Sequence, residues 1–287
     1  MAQILTRARS GAAMRSSVRA GKVMILGRDR VAYAGLLGEP TVRNFGCLTV
    51  YSALASPLKV LAQGGSFQAA GMAVVPPYVP HRVSTRDRMI GVLMIEPESV
   101  DPDGLPGWLA GAQAREVTDP VAARVRDSFL GLVRGDYGRD LTGVDTDQLF
   151  LGRTFEPRAL DPRIAAIVGR ICGSPHGQLS AEESALLTEL SFSRFLHLFR
   201  AEVGATFRGF RAWKRARSFL RYANGTASLT DLALEIGYPD STHFSHTIRQ
   251  VYGLRPKDIF AGSRDLSIVR QDVERLAPPM GAPAAAR

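Results

Sequence analysis

The stretch LTDLALEIGYPDSTHFS, residues 229–245, decides the fold of the C-terminal part of the chain. Ser228 directly before it and Asp240 within it are residue types that cap helix N-termini, so the stretch predicts two short helices in succession. Gly237 falls between them, where a sharp turn needs a residue that tolerates a positive φ. This pattern is typical of a helix-turn-helix unit, which we place at residues 228–252.

The second of these helices exposes short polar side chains. At helical spacing its apolar residues, such as Phe244, face inward, and the outward positions carry side chains that suit base edges in a DNA major groove. These outward residues are Ser241, Thr242, His243, Ser245, His246 and Arg249. The other interpretation of the pattern is an ordinary helical hairpin without a ligand.

A second stretch of the same layout lies upstream, at residues 180–202. Ser180 opens it as an N-cap with Glu183 three residues later, which is the pattern of a capping box. Glu189 stands where the turn glycine is expected, so a non-glycine residue must adopt the positive φ. The helix signals from 158 to 262 predict seven helices, and we expect this segment to be an all-α domain with a core of its own.

Basic residues concentrate in the same region. The formal net charge is +9, and residues 191–221 contain eight basic residues against one acid. A solvated helix face is the usual reason for such a run, but its place between two helix-turn-helix units favours an anionic partner. We expect that partner to be double-stranded DNA, bound with an affinity that falls steeply as salt rises.

Residues 161–262 as a whole resemble the DNA-binding domain of the AraC/XylS family of transcription regulators. The resemblance is carried by SFSRFLHLFRAEVG at 191–204, WKRAR at 213–217, and LA, GY, FS and GLRP between residues 232 and 256. It implies a sequence-specific regulator whose two units, joined by a long central helix, enter successive major-groove faces of one promoter or operator site. RNA polymerase is a further implied partner, and the role at the promoter is activation or, as the alternative, repression. The chain departs from the family pattern at Glu189 and at Ile248, where an aromatic residue is usual.

The resemblance also assigns roles to individual positions. The base-facing positions are Ser193, Leu196 and His197 in the first unit, and Ser241, Thr242, His243 and His246 in the second. Arg194, Arg200 and Arg249 are expected to contact phosphates instead. Sequence specificity is therefore expected from the first set, and general affinity from the arginines.

The N-terminal half has the pattern of a small β-rich domain. Between residues 23 and 100, short apolar runs alternate with Gly, Pro and polar residues, which is typical of a sandwich or barrel. The segment GMAVVPPYVPHRV, residues 71–83, is similar to the cupin-like β-barrel that many AraC/XylS regulators carry for effector binding or dimerisation. We assign residues 23–155 to such a domain. The predicted fold class is α+β: a cupin-like β-barrel followed by an all-α module of seven helices.

Tyr78, His81 and Arg82 are the candidate contacts for a small-molecule effector of unknown identity. The alternative for His81 is a structural role, in which backbone groups are the hydrogen-bond partners of its ring. A metal-binding cupin needs several histidines with a carboxylate, so we expect no metal, no cofactor and no enzyme activity. A cupin-type enzyme and a non-specific DNA-binding protein are the alternative functions. Cys47 and Cys172 have no metal or redox spacing, which favours a reducing compartment.

Both ends of the chain differ from the middle in composition. Residues 1–22 carry five basic residues and no acid, as both a mobile basic arm and an organelle transit peptide do. Residues 263–287 are expected to form a tail that is disordered in its Pro/Ala-rich part. No apolar run is long enough to span a membrane. A cytoplasmic location and a homodimer complete the prediction.

Overall fold

The computed structural model describes residues 21–62, 65–138, 140–225 and 228–271. Most of the predicted basic arm (residues 1–20) and the end of the predicted tail (residues 272–287) therefore lie outside the described residues. None of the described helices is long and apolar enough to cross a membrane.

Two sheets form the N-terminal half. The strands are β1 (Val23–Leu26), β2 (Arg30–Leu36), β3 (Leu48–Ala53), β4 (Leu58–Ala62), β5 (Gly65–Ala69), β6 (Met72–Val75), β7 (His81–Thr85), β8 (Met89–Ile95), β9 (Arg115–Val117) and β10 (Ser267–Arg270). The large sheet has the order β10-β1-β2-β8-β3-β6-β9, and the small sheet has the order β5-β4-β7. A 3-10 turn, Pro97–Ser99, follows β8.

Nine α-helices are found among the described residues. They are α1 (Val121–Arg134), α2 (Thr146–Leu151), α3 (Pro162–Gly173), α4 (Ala181–Leu187), α5 (Phe192–Val203), α6 (Phe207–Ser218), α7 (Leu229–Glu235), α8 (Ser241–Tyr252) and α9 (Pro256–Gly262). The last seven, α3 to α9, form the C-terminal module, which agrees with the number that the sequence predicts.

The alternation of side chains along the strands gives the large sheet two apolar faces. In β1, Met24 and Leu26 join the core that lies between the two sheets, whereas Val23 and Ile25 join the core on the other face. Helices α1 and α2 cover that other face, where the Phe129 and Phe150 rings pack 4.4 Å apart. The α+β prediction is thus confirmed, with a barrel-like half in which the two sheets remain separate instead of closing into one cylinder.

The two helix-turn-helix units differ in how they are held. The first unit, α4 and α5, has its own core with α3 and the start of α6, in which Phe195 and Phe199 are fully buried. The second unit, α7 and α8, shares one continuous core with the sheets, which includes Phe244 and Ile248 together with Val31 and Phe45. The expectation that residues 158–262 hold a core of their own is therefore wrong for the second unit.

The segment after α9 returns to the N-terminal half. Strand β10 pairs in parallel with β1, with Val23 opposite Ser267 and Leu26 opposite Arg270. Ile268 and Val269 are buried in the two cores of the large sheet. The first part of the segment that we expected to be a tail is thus a structural strand of the sheet.

Candidate nucleic-acid interface

The second unit has the turn that its sequence predicts. Ser228 and Asp240 cap α7 and α8 through hydrogen bonds from the backbone N–H groups of Asp231 and His243. Gly237 has φ 82°, and the N–H of Tyr238 donates to the carbonyl oxygen of Ala233 at 2.8 Å. This geometry ends α7 and turns the chain sharply into α8.

The first unit makes the same turn without glycine. Glu189 has φ 54°, and the N–H of Leu190 donates to the carbonyl oxygen of Ala185 at 3.0 Å. Ser180 and Glu183 form both hydrogen bonds of the predicted capping box. The strained conformation that we predicted for Glu189 is therefore present.

Helices α5 and α8 are equivalent parts of the two units. Each contains 12 residues, begins after a capping side chain and ends at a glycine in the left-handed conformation. Aligning the two caps places Ser193, Arg194, His197, Arg200 and Ala201 at the same helical positions as Thr242, His243, His246, Arg249 and Gln250. All ten of these residues are exposed. At 100° per residue, each set covers one continuous arc of its helix, and a helix presents one such face to a major groove.

The predicted base-facing residues do not all lie equally open. Ser193, His197, Thr242, His243 and His246 are exposed, whereas Leu196 and Ser241 are half-buried. Leu196 packs against the core of the first unit. The predicted phosphate contacts Arg194, Arg200 and Arg249 are all exposed. Gln250 was missed, although its spacing from His246 and His243 puts it on the same face.

Two of the eight basic residues between 191 and 221 do not reach the surface. Lys214 and Arg217, on α6, are 4% and 9% exposed and form ion pairs with the N-terminal half. These two therefore do not belong to the basic surface that we expect to face an anionic partner. Their sequence positions could not show this, because their partner Glu96 is 118 residues from Lys214 along the chain.

Lys214 and Arg217 form a buried cluster with residues that contact them or share their partners. We call this cluster the ionic clamp: Glu96, Glu98, Trp213, Lys214 and Arg217. Lys214 Nζ lies 2.7 Å from Glu96 Oε2 and also contacts Glu98 Oε1. Arg217 Nε lies 2.7 Å from Glu96 Oε1, and Trp213 Nε1 donates to Glu96 Oε2 at 2.8 Å. Burial lowers the pKa of Lys214, but the charges of Glu96 and Glu98 outweigh burial and raise it above its ordinary value. The clamp thus keeps buried charges in opposite-sign contact across the two halves of the chain.

Comparison with known proteins identifies the module that carries α5 and α8. A family model described as a helix-turn-helix domain matches residues 185–262. The C-terminal module is a helix-turn-helix domain of the AraC/XylS type. It is the DNA-binding domain of a transcription regulator. Comparison with curated protein sequences gave no match.

Solved structures of ToxT share the fold of both halves of this chain. ToxT from Vibrio cholerae O395 superimposes with a TM-score of 0.53 at 10% identity, over 82% of this chain and 99% of ToxT. The complex of ToxT from the same strain with (E)-4-(8-methylnaphthalen-1-yl)but-3-enoic acid gives 0.53 at 8% identity, over 81% and 98%. An AraC-type regulator from Chromobacterium violaceum matches over 36% of this chain and 92% of its own, at 21% identity and a TM-score of 0.33.

Outside the AraC/XylS-type domain, the three predicted effector contacts lie in different surroundings. His81 is 2% exposed, and its Nδ1 lies 2.7 Å from the carbonyl oxygen of Val79. Since a carbonyl only accepts, Nδ1 carries the proton, and Nε2 accepts from Tyr51 Oη at 2.7 Å. Burial lowers the pKa of His81 to about 4. Its position therefore matches the structural alternative.

Tyr78 and Arg82 point away from the interior of the N-terminal half. Tyr78 packs against the core of the first helix-turn-helix unit and has φ 59°. Arg82 is exposed on β7.

A cavity of about 460 Å³ lies instead between the large sheet and the AraC/XylS-type domain. Most of its wall is apolar, and α9 with the end of α8 closes one side. Its lining includes Met24, Val31, Ile90, Leu220, Tyr252 and Ile259, together with Arg43. A volume of roughly 300–1,000 Å³ is usual for small-molecule sites, so the cavity has room for one organic molecule.

Proposed function

We propose that the protein binds specific promoter or operator sites by placing α5 and α8 in successive major-groove faces, and that a small molecule in the cavity regulates this binding. The observation that carries the first part is the pair of equivalent exposed arcs on two capped helices of equal length. A protein that only coats DNA needs positive charge but no such surface. RNA polymerase contact, activation, homodimerisation and a cytoplasmic location belong to the same proposal, through the AraC/XylS resemblance.

The two arcs divide into base-reading and phosphate-binding parts. Ser193, Leu196 and His197 in α5, and Ser241, Thr242, His243 and His246 in α8, are the proposed base contacts. They occupy the first two turns of each helix, the end that enters the groove in helix-turn-helix proteins. Arg200 and Arg249 lie in the last turns, which favours phosphate contacts, whereas the phosphate role of Arg194 follows from the resemblance alone, since its helical position is that of His243.

Selection of binding sites from random duplex DNA tests the proposal. The full chain should enrich one motif with two half-sites, and random DNA should compete poorly for it. The affinity should fall steeply with salt, because six of the eight basic residues at 191–221 remain outside the ionic clamp. If random DNA competes as well as the selected site, the protein is a non-specific DNA binder and the proposal fails.

The cavity supports an effector that carries a negative charge. Arg43 is 6% exposed, and its Nε has no hydrogen-bond partner. The two acids that line the cavity are each paired with another arginine, Glu39 with Arg88 and Asp258 with Arg255. A buried charge without a counter-charge is costly, so a ligand anion at Arg43 would remove that cost. The proposed effector is therefore an amphipathic monoanion.

Binding of decanoate and decan-1-ol, which differ in the charged group, tests this effector class. We expect decanoate to bind the full chain, and Arg43→Met to weaken that binding by at least about tenfold, since a hydrogen bond to a charged group contributes roughly 1.5–3 kcal/mol. Arg86→Met, at an exposed arginine that does not line the cavity, is the matched control and should leave the affinity unchanged. Equal affinity for the two molecules, or an unchanged Arg43→Met, would contradict the anionic class but not DNA recognition.

A further inference from the structure

Helix α6 passes through two cores. Phe207 and Phe210, in its first turn and the next, belong to the core of the first helix-turn-helix unit. Trp213 and Ala216 belong to the core that the second unit shares with the sheets. The contacts that restrain α6 between residues 210 and 213 therefore set the position of α5 relative to α8.

The N-terminal half holds α6 at this point. The Lys214 ammonium lies 5.1 Å from the Phe210 ring centroid, in the first core, while the same ammonium binds Glu96 and Glu98. Lys214 thus joins the first unit to the sheets. Glu98 belongs to the Pro97–Ser99 turn, and that turn also packs against α5. Tyr78 adds a second contact to the same core, beside Gly209 of α6.

A small bend of α6 would displace its end by a distance similar to the spacing between base pairs. Its 12 residues give a helix of about 18 Å at 1.5 Å per residue. A bend of about 10° at one end therefore shifts the other end by about 3 Å, close to the 3.4 Å between base pairs. If α6 could bend between residues 210 and 213, where it passes from one core to the other (the crossing point), α5 and α8 would also accept half-sites whose spacing is one base pair longer or shorter than the preferred spacing.

We propose that Glu98, acting through Lys214, is a positioning residue that fixes the spacing between the two DNA half-sites. This inference depends on the proposed function, because it assumes that α5 and α8 read one site together. The Glu98 carboxylate binds Lys214 at the crossing point, while its own turn contacts α5. The N-terminal half therefore contributes to specificity without touching DNA.

The test measures the affinity of the full chain for its selected site and for versions with one base pair inserted or deleted between the half-sites. Glu98→Gln removes the charge and keeps the shape of the side chain. Glu116→Gln, which removes the same charge from an exposed strand position, is the matched control. We expect Glu98→Gln to reduce the discrimination between correct and altered spacing at least threefold, and Glu116→Gln to leave it as in the parent chain.

A second variant keeps the buried charges balanced. Glu98→Gln combined with Lys214→Met removes one charge of each sign and leaves the Glu96–Arg217 pair, so it should fold even if the single variant does not. It should show the same relaxed spacing. Parent-like discrimination in either folded variant would overturn the inference, even if stability or overall affinity fell. Failure of the parent chain to prefer any site would instead overturn the proposed function.

Discussion

At the scale of single residues, Glu189 and Gly237 occupy the same turn position with different side chains. A residue with a Cβ in the left-handed conformation costs about 1–2 kcal/mol. We expect Glu189→Gly to raise the free energy of unfolding by about 1 kcal/mol, because glycine relieves this strain. Gly237→Ala should lower it by more than that, because a Cβ there would also lie 2.8 Å from the carbonyl oxygen of His176. Urea unfolding of both variants checks the prediction, and a destabilising Glu189→Gly would contradict it.

A second prediction for a single residue concerns His81, whose buried ring is neutral. Its folded pKa of about 4 is below the ordinary histidine pKa of 6.5, so the unfolded chain takes up the proton first as the pH falls. The stabilisation that results is complete above pH 6.5 and is lost between pH 6.5 and 4, by at most about 1.4 kcal/mol per pH unit. We expect His81→Gln to flatten the fall in unfolding free energy between pH 7 and 4. Parallel pH profiles for parent and variant would show that His81 does not titrate in this way.

At the scale of the helices, the proposed base contacts on α8 should determine specificity, and its proposed phosphate contact should determine general affinity. We expect His243→Ala and Thr242→Ala to cost roughly 1–3 kcal/mol on the selected site and much less on sites changed at the contacted bases. Arg249→Ala, with Arg200→Ala as its equivalent in α5, should weaken binding to all sequences by similar factors. Affinities for the selected site and its single-base variants check this. Uniform loss for His243→Ala with selective loss for Arg249→Ala would show that the two parts of the arc are assigned in reverse.

The helices also show which features a sequence can predict. The caps at Ser180 and Asp240, the turn at Gly237 and the strain at Glu189 depend on neighbours within a few residues, and all four are present. The burial of Lys214 depends on a carboxylate 118 residues away, so its basic side chain looks like any other on α6. The wall of the cavity likewise combines residues near 24, 90 and 259, so no local sequence pattern could have indicated it.

At the scale of the whole molecule, the shared core makes the second helix-turn-helix unit depend on the sheets. A fragment of residues 158–262 would expose Trp213 and Tyr252, whose rings pack against Phe45 of the N-terminal half in the full chain. We expect its α5 amides to stay protected in hydrogen exchange and its α8 amides to lose protection. The full chain is the control, in which both helices should be protected. Equal protection of α5 and α8 in the fragment would contradict the prediction.

The pairing of β10 with β1 has a consequence for biosynthesis. Strand β1, four buried apolar residues near the start of the chain, keeps an uncovered hydrogen-bonding edge until residues 267–270 leave the ribosome. An apolar strand edge is a template for association with other chains. A product that stops at Gly262 would contain every proposed DNA contact yet lack the strand that pairs with this edge. We expect it to aggregate as it accumulates, whereas a chain ending at Gln271 stays dispersed, as light scattering would show. A dispersed product ending at Gly262 would contradict this. Premature termination would then give insoluble protein instead of a shortened regulator that still occupies DNA.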